Sequence, residues 1–493
     1  MSVSLLETKV RKLLQSPMMP VDYQSRLNAD FPLTEFGNAA RMVQLCGSEL
    51  TYVPEDNSWY LWTGVYWQRT TEANVRKMAA NVVKEMSRTI PNGLDSAALV
   101  AYHKWCVQSQ KASMVSSMVS LVANDPTVLV PFNQLDRDRN FLGVANGAVN
   151  LTTGTLQNPN RSDYLTITTG VAFNATATCP LFEQTVSDAF YGDADMVAFF
   201  QRVVGYSLMG NPKEHVIVIP YGSGSNGKST ILNAISAVLG GHAKCTSAST
   251  FLTDGRGFSG NASGPNEAVL RLRGSRFVAM SEPDEGSQLR EGLIKSVTGG
   301  DTISARGVHA KHSVEFQPSW VTFMATNHRP IVKGVDHAIW RRLLLVPFTR
   351  NFSADAAIPK DPDRAEKLKT EYEGILRWCV DGALAYQRAG LGLPDSVRAA
   401  HLAYKVAMDL LGDWLAEEWE DDPNGYATTE ELWASWKRHG EHFGTIEMVR
   451  TVNALSRSLV DRGYTNVRRV PGAGKRGFRG IRRRTFENRD FLD

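Results

Sequence analysis

Four short apolar runs punctuate the middle of the chain: VIVIP (216–220), FVAMS (277–281), VTFMAT (321–326) and LLLVPF (343–348). Gly, Pro or charged residues bound each run, and segments of helical periodicity lie between them. Continuous apolar runs alternating with helices predict a parallel sheet covered on both faces, hence an α/β core. Upstream, LTYVPEDNSWYLWTGVYWQ (50–68) alternates aromatic and polar residues around turn signals and predicts a β-hairpin. Residues 72–124 carry helical periodicity, broken at Pro91-Asn92-Gly93. FLGVANGAVNLTTGTLQ (141–157) returns to strands, with Asn146-Gly147 and Thr153-Gly154 as turns. Helices are predicted at about 185–210 and 364–388. Beyond a break at Gly390–Pro394, three more follow at about 396–419, 428–442 and 445–463, and the chain ends basic and Gly-rich.

A chain of 493 residues is too long for one core, so two to four domains are expected. No apolar stretch approaches the roughly 18 residues of a membrane span, and the amino terminus lacks a signal-peptide core. Five cysteines stand singly, with no CxxC pair, which excludes a readable zinc ribbon or disulfide framework. A reducing cytoplasm is the expected location. The net charge of +3 says little, but its distribution says more. RRVPGAGKRGFRGIRRR (468–484) holds eight basic residues and no acid, shortly after the acidic run EEWEDD (417–422). That asymmetry suggests an end facing a polyanion, against the plainer reading of a solvated charged face.

The most specific signal follows VIVIP directly. Gly222-Ser223-Gly224-Ser225-Asn226-Gly227-Lys228-Ser229 fits G-x-x-x-x-G-K-[ST], the Walker A loop, and Thr230 opens an amphipathic helix. Its glycines let backbone N–H groups converge on phosphate oxygens at a helix amino terminus. Lys228 would reach the β- and γ-phosphates, and the Ser229 hydroxyl would ligate Mg²⁺. An acid ending a neighbouring strand is needed too. Glu282, first after FVAMS, is the preferred catalytic and metal-side residue, with Asp284 and Glu285 as second choices. Asn327 ends WVTFMATN, where an amide can orient the attacking water or simply make a turn. Arg341 and Arg342 precede the last strand and could stabilise charge at a neighbour's nucleotide, or form a salt bridge. Between Asp301 and Gln317 two strands, TISARG and SVEFQ, are predicted to meet at a tip with His309, Lys311 and His312. Such a tip could touch phosphates in a channel or stand free in solvent.

Taken in order, GSGSNGKST, SEPDE, KSVTGGDTISAR, FMATNHRP and AIWRRL resemble the superfamily 3 helicases of the AAA+ class. The resemblance is to the phage, plasmid and poxvirus primase–helicase group in particular. FLGVANGAVNLTTGTL and TATCPLF also look like its helicase-associated amino-terminal domain. The carboxy-terminal helices with their basic end look like its winged-helix domain. The resemblance implies an arm at 1–45, an α+β associated domain at 46–185, a P-loop AAA+ core at 186–395 and a winged-helix-like domain at 396–493. It implies a ring, usually hexameric, moving 3′→5′ on single-stranded DNA with ATP and Mg²⁺. Lys228 and Ser229 would hold the nucleotide, Glu282 would activate water and Asn327 would sense the γ-phosphate. Metal coordination would involve Ser229, Glu282 and Asp284, although Pro283 stands where many helicases have a second acid. Arg342, with Arg341 beside it, would be the finger. Arg306, His309, Lys311, His312, Lys475, Arg476 and Arg479 would contact DNA.

A replicative helicase of a phage, prophage or satellite element is thus expected, with forked DNA and a primase or polymerase of the same element as candidate partners. About 45 residues before the associated domain are too few for a primase module, so no priming activity is expected. The main rival is an initiator or loader in which ATP only switches assembly. Against it stands the hairpin at 301–317, for which a pure switch has no use. A small-molecule P-loop kinase fits poorly with 200 residues ahead of the loop.

Overall fold

The computed structural model describes residues 31–91, 93–253, 267–306, 313–332, 337–355, 358, 361–442 and 451–484. The amino-terminal part opens with α1 (Glu35–Cys46), whose cap Thr34 accepts a hydrogen bond from the Gly37 N–H at 3.1 Å. Strands β1 (Leu50–Val53), β2 (Ser58–Trp62) and β3 (Trp67–Thr70) form an antiparallel meander, one strand more than the expected hairpin. Helices α2 (Glu72–Arg88), α3 (Ser96–Ser109) and α4 (Ala112–Ala123) follow. Val75, Met78, Ala79, Val82 and Val83 make the helical-period stripe of α2, which packs on Met42 of α1, Trp59 of β2 and Met118 of α4. Helix α1 contributes Ala39, Met42 and Cys46 to this core.

A second small meander, β4 (Phe141–Val144), β5 (Gly147–Asn150) and β6 (Thr155–Gln157), precedes α5 (Pro180–Ala189) and α6 (Ala194–Leu208). Its Leu142, Val144 and Val149 share one core with Phe199 and Phe200 of α6 and with the central sheet. Phe173, Cys179 and Phe182 join the same core, whereas Arg161–Leu165 pack on β2 and β3: the Arg161 and Leu165 carbonyls accept from Trp67, and Tyr164 stacks on its ring. Arg276 stitches this seam. It is 6% exposed, and its guanidinium donates to the carbonyls of Arg139 (3.0 Å), Phe141 (2.5 Å) and Leu208.

The central sheet is built from β7 (Ile217–Tyr221), β8 (Ala243–Thr246), β10 (Phe277–Met280), β14 (Val321–Met324) and β15 (Leu343–Pro347), in the order β15-β7-β14-β10-β8 and parallel throughout. Four of these strands are the apolar runs. The fifth, β8, reads Ala-Lys-Cys-Thr, and its partly exposed edge position explains why no hydrophobic pattern marks it. Alternate residues feed two cores. Val218, Phe277, Phe323 and Leu344 face α6, α7 (Lys228–Leu239) and α12 (Tyr372–Ala389), while Ile219, Val278, Met324 and Leu345 face the opposite side.

Shorter elements complete this unit. The two-residue strands β9 (Leu252–Thr253) and β11 (Gln288–Leu289) pair, α8 is Glu267–Leu270 and α9 is Glu291–Thr298. The hairpin β12 (Ile303–Ala305) and β13 (Val314–Phe316) forms as expected in antiparallel register. Its tip residues His309, Lys311 and His312 lie outside the described residues. Helices α10 (His337–Trp340) and α11 (Arg364–Leu368) flank β15, and α13 (Asp395–Ala407) leads out of the unit.

The carboxy-terminal part runs α14 (Leu410–Glu418), β16 (Trp419–Thr428), α15 (Thr429–His442), α16 (Val452–Asp461), β17 (Thr465–Val467) and β18 (Gly477–Arg483). Its sheet order is β16-β18-β17, antiparallel, over a core holding the fully buried Trp414 and Trp436. Both Trp414 and Trp419 donate their indole N–H to Ser435 Oγ, at 2.8 and 3.0 Å. The acidic and basic runs meet in this sheet. Arg482 pairs with Glu420 (2.6 Å) and Asp422 (3.5 Å), and Arg483 lies 3.8 Å from Glu418. The charge asymmetry read along the chain is therefore partly cancelled across two neighbouring strands. No helix among the described residues is long and apolar enough to cross a membrane.

Candidate nucleotide site

Strand β7 ends at Tyr221, and the loop 222–227 turns sharply into α7. Gly222 admits no side chain: a Cβ there would lie 2.1 Å from the Phe348 carbonyl oxygen and 2.2 Å from Asn226 Nδ2. Gly224 (φ +92°) and Gly227 (φ +79°) take left-handed conformations that glycine adopts without strain. Ser225 adopts φ +48° despite its side chain and is pinned there. Its hydroxyl meets Ser353 Oγ at 2.5 Å, and its carbonyl accepts the Phe352 N–H at 2.8 Å. The first intrahelical bond of α7 is Ile231 N–H to Gly227 O at 3.0 Å, so the N–H groups of Lys228, Ser229 and Thr230 have no partner within the helix. They form a concentrated donor set at the positive end of the helix dipole.

Lys228 is 5% exposed, and its ammonium donates to Gly222 O (2.6 Å), Asn226 Oδ1 (3.0 Å) and Asn327 Oδ1 (3.0 Å). All three partners are neutral oxygens. Burial pushes the Lys228 ammonium down to about 8, while the carboxylate of Glu282 pulls in the opposite direction. A cation desolvated beside a row of helix N–H groups is chemically suited to an anion with several oxygens.

These residues line a cleft of about 490 Å³ together with Glu282, Asn327 and residues at its far end. Glu282, exposed at the end of β10, and Asn327, past the end of β14, face the loop because parallel strands put all their carboxyl ends on one side. Gly222, which is buried, and Ser223, which is exposed, do not line it. Asp284 does not line the cleft either; its carbonyl accepts from Ser287 Oγ at 2.6 Å. Glu285 lies 3.7 Å from His328. Among the described residues, no group of three or more His, Cys, Asp or Glu could hold a metal by itself. A divalent cation would fit only with oxygens from a phosphate ligand, beside Ser229 and Glu282.

Sequence reasoning missed the far end, where Thr185, Asp188, Phe352, Ile358, Asp361 and Arg364 complete the cleft. Asp188 accepts from Gln184 Nε2 (2.7 Å), and Arg364 donates to Asp361 Oδ2 (3.2 Å) and Thr185 Oγ1 (3.0 Å). No local spacing signals them, because they come from α5 and from the segment after β15.

The two arginines before β15 part company. Arg342 is 9% exposed and donates to Thr298 Oγ1 (3.1 Å) and Ala338 O (2.5 Å). Its guanidinium hydrogen-bonds within its own chain. Arg341, next to it, is exposed. Among the expected DNA contacts, Arg306 is exposed just past β12, Lys475 pairs with Glu430 at 2.5 Å, and Arg479 donates to the Pro423 carbonyl at 3.1 Å. Arg476 is exposed at the start of β18.

Comparison with known proteins follows the same direction. Residues 39–191 match the family described as "D5 N terminal like". The chain is 26% identical over 315 residues to "Putative helicase L207/L206" of Acanthamoeba polyphaga mimivirus, covering 60% of this chain and 32% of that protein. It is 27% identical over 287 residues to "Putative helicase 022R" of Frog virus 3, covering 53% and 29%. Over 131 residues it is 28% identical to "Putative primase C962R" of African swine fever virus, covering 27% of this chain and 13% of that protein. The chain thus spans about a third of the length of the helicases it matches. A solved apo structure of the NrS-1 C-terminal region aligns with 87% of this chain and 95% of that one, at 10% identity and a TM-score of 0.47. The chain is similar, then, to viral proteins named for helicase and primase functions, and its centre is an α/β core.

Proposed function

We propose that the chain is an ATP-dependent replicative DNA helicase of the superfamily 3 AAA+ type, working as a ring on single-stranded DNA with 3′→5′ polarity. The observation that carries this reading is the convergence of Lys228, Asn327 and Glu282 in one cleft. Backbone N–H groups of α7 and the Lys228 ammonium would hold the triphosphate, and Ser229 with Glu282 would hold Mg²⁺ alongside it. The metal, when bound, supplies charge stabilisation at the phosphates. Glu282 would accept the proton of the attacking water, and Asn327 would report the γ-phosphate through its shared contact with Lys228. Asp284, two residues on, does not line the cleft, so Ser229 and Glu282 carry the proposed metal set with Asp284 as a second choice.

Arg341 is the proposed finger. It sits at the amino end of β15, whereas the loop lies at the carboxyl end of β7. Five strand residues separate those ends by ~16 Å. Arg341 would therefore serve a neighbouring subunit's nucleotide. The helix-and-sheet order α14-β16-α15-α16-β17-β18 supports a winged-helix-like domain at the carboxyl end, with the loop 468–476 as its wing. Exposed Arg476 and Arg479 would track phosphates there, and Arg306 with the hairpin tip would do so in the ring's channel. The initiator alternative relied on a strongly basic carboxyl end. Pairing of Arg482 and Arg483 with Glu418, Glu420 and Asp422 weakens that support. A host-cell cytoplasmic location goes with the proposed role.

The test is ATPase activity with and without single-stranded DNA, alongside unwinding of a forked duplex carrying a 3′ tail. DNA-stimulated turnover with strand separation is expected, and Lys228→Ala should abolish both. ATP-dependent DNA binding without separation would favour the initiator, and unwinding retained in Lys228→Ala would sink the proposal.

A further inference from the structure

Beyond β14, residues 327–330 reach out to several other parts of the chain. Asn327 accepts from Lys228 at 3.0 Å, and His328 lies 3.7 Å from Glu285. The Arg329 guanidinium stands 4.8 Å from the centroid of the Tyr221 ring, at the start of the nucleotide loop, and 5.7 Å from that of Tyr404 in α13. The Pro330 carbonyl accepts the Tyr404 hydroxyl. Arg329 Nε is buried and finds no hydrogen-bond partner among the described residues, and the guanidinium packs over both rings.

Tyr404 also touches the other end of the connection from β14 to β15. Its ring meets Trp340 edge to face at 5.3 Å, and Trp340 immediately precedes the exposed Arg341. One turn earlier on α13, the His401 ring lies 6.0 Å from that of Trp340, edge to face. Tyr404 is fully buried, so its phenol can satisfy its hydroxyl only through such a partner. One side chain thus clasps Pro330, where the connection leaves the nucleotide cleft, and Trp340, where it delivers Arg341.

We infer that Tyr404 is a positioning residue that couples the Asn327 turn to the Arg341 turn, so that the nucleotide state of one cleft sets the arginine offered to the next. This rests on the proposed reading of Arg341 as a finger in trans. Spatial continuity alone does not establish coupling; a double-mutant cycle does. Tyr404→Phe removes only the hydroxyl that holds Pro330. In the full-length protein it should leave nucleotide affinity, measured with a fluorescent ATP analogue, within about twofold. Turnover should fall about fivefold or more, and the Hill coefficient in ATP should drop toward one. In an Arg341→Ala background the same change should cost less than about twofold, because the coupled partner is already gone.

Wild-type turnover and cooperativity in Tyr404→Phe would overturn the inference, as would effects of Tyr404→Phe and Arg341→Ala that simply multiply. A parallel loss of affinity and melting temperature would mark Tyr404 as merely structural and overturn it too. Trp340→Phe, which weakens the second clasp and keeps the hydroxyl bond, should reproduce the loss of cooperativity and guards against misfolding of the first variant. Absence of ATPase in the wild type would instead defeat the functional reading beneath it.

Discussion

Lys228 offers a quantitative test that needs no mutation. Its ammonium is buried among three neutral oxygens, and desolvation lowers it from 10.5 to about 8, against the opposing pull of Glu282. At about 1.4 kcal/mol for each pH unit, that displacement amounts to at most roughly 3.5 kcal/mol. The sign follows from proton counting. Between about pH 8 and 10.5 the unfolded chain holds a proton on Lys228 that the folded, ligand-free chain has released. Stability of the free protein therefore carries a cost below pH 8 that is relieved as pH rises through that window.

Nucleotide binding runs the other way. A triphosphate in the cleft favours the charged ammonium, so binding above pH 8 must be accompanied by proton uptake. With half the free protein protonated at about pH 8, apparent affinity should fall about tenfold between pH 7 and pH 9. Calorimetry in buffers of different ionisation enthalpy should find an uptake of about half a proton at pH 8, rising toward one at pH 9. Lys228→Arg keeps its charge throughout this range and should flatten the profile. A wild-type affinity that does not change between pH 7 and pH 9, or the same slope in Lys228→Arg, would refute the assignment of Lys228 as the desolvated phosphate ligand.

Glu282→Gln should keep nucleotide affinity and lower turnover by about a hundredfold or more in a phosphate-release assay; undiminished turnover would leave the proton of water without Glu282. Gly222→Ala should destabilise the protein by roughly 1–3 kcal/mol and weaken nucleotide binding, because its methyl group would meet the Phe348 carbonyl at 2.1 Å, and a thermal melt equal to the parent's would contradict that contact. The paired arginines should separate cleanly. Arg342→Ala leaves Thr298 and the Ala338 carbonyl without their donor and should cost about 3 kcal/mol in chemical denaturation, whereas Arg341→Ala should melt like the parent and lose DNA-stimulated turnover.

Much of this arrangement was legible in the chain because it follows local rules. Gly222, Gly227, Lys228 and Ser229 sit at fixed offsets dictated by how backbone N–H groups must converge, and the apolar runs around them report burial on both sheet faces. What escaped was set by packing between distant segments. Strand β8 is polar because it closes the sheet's edge. Asp188 and Arg364 reach the cleft from helices whose sequences carry no phosphate-binding spacing. The choice between Arg341 and Arg342 turns on one residue of strand phase. Because Arg342 O accepts the Ile217 N–H at 2.8 Å, Arg342 is already committed to the sheet, and its side chain points inward to Thr298. Along the chain the two are indistinguishable.

The same logic bears on the charge at the carboxyl end. A basic run and an acidic run some fifty residues apart read as a dipole of the chain, but antiparallel pairing in β16 and β18 places Glu420 directly opposite Arg482 and makes them neighbours. Exposed pairs of this kind contribute little to stability, typically under about 1 kcal/mol, yet they remove field that would otherwise attract a polyanion. Among the described residues of this sheet, Arg476, Arg479 and the loop before β18 keep their basic side chains off those acids. Under the proposed function, such a strip would steady a nucleic acid strand held mainly elsewhere. In the proposed ring, that leaves the central channel and its ATP-driven motion to bear most of the grip.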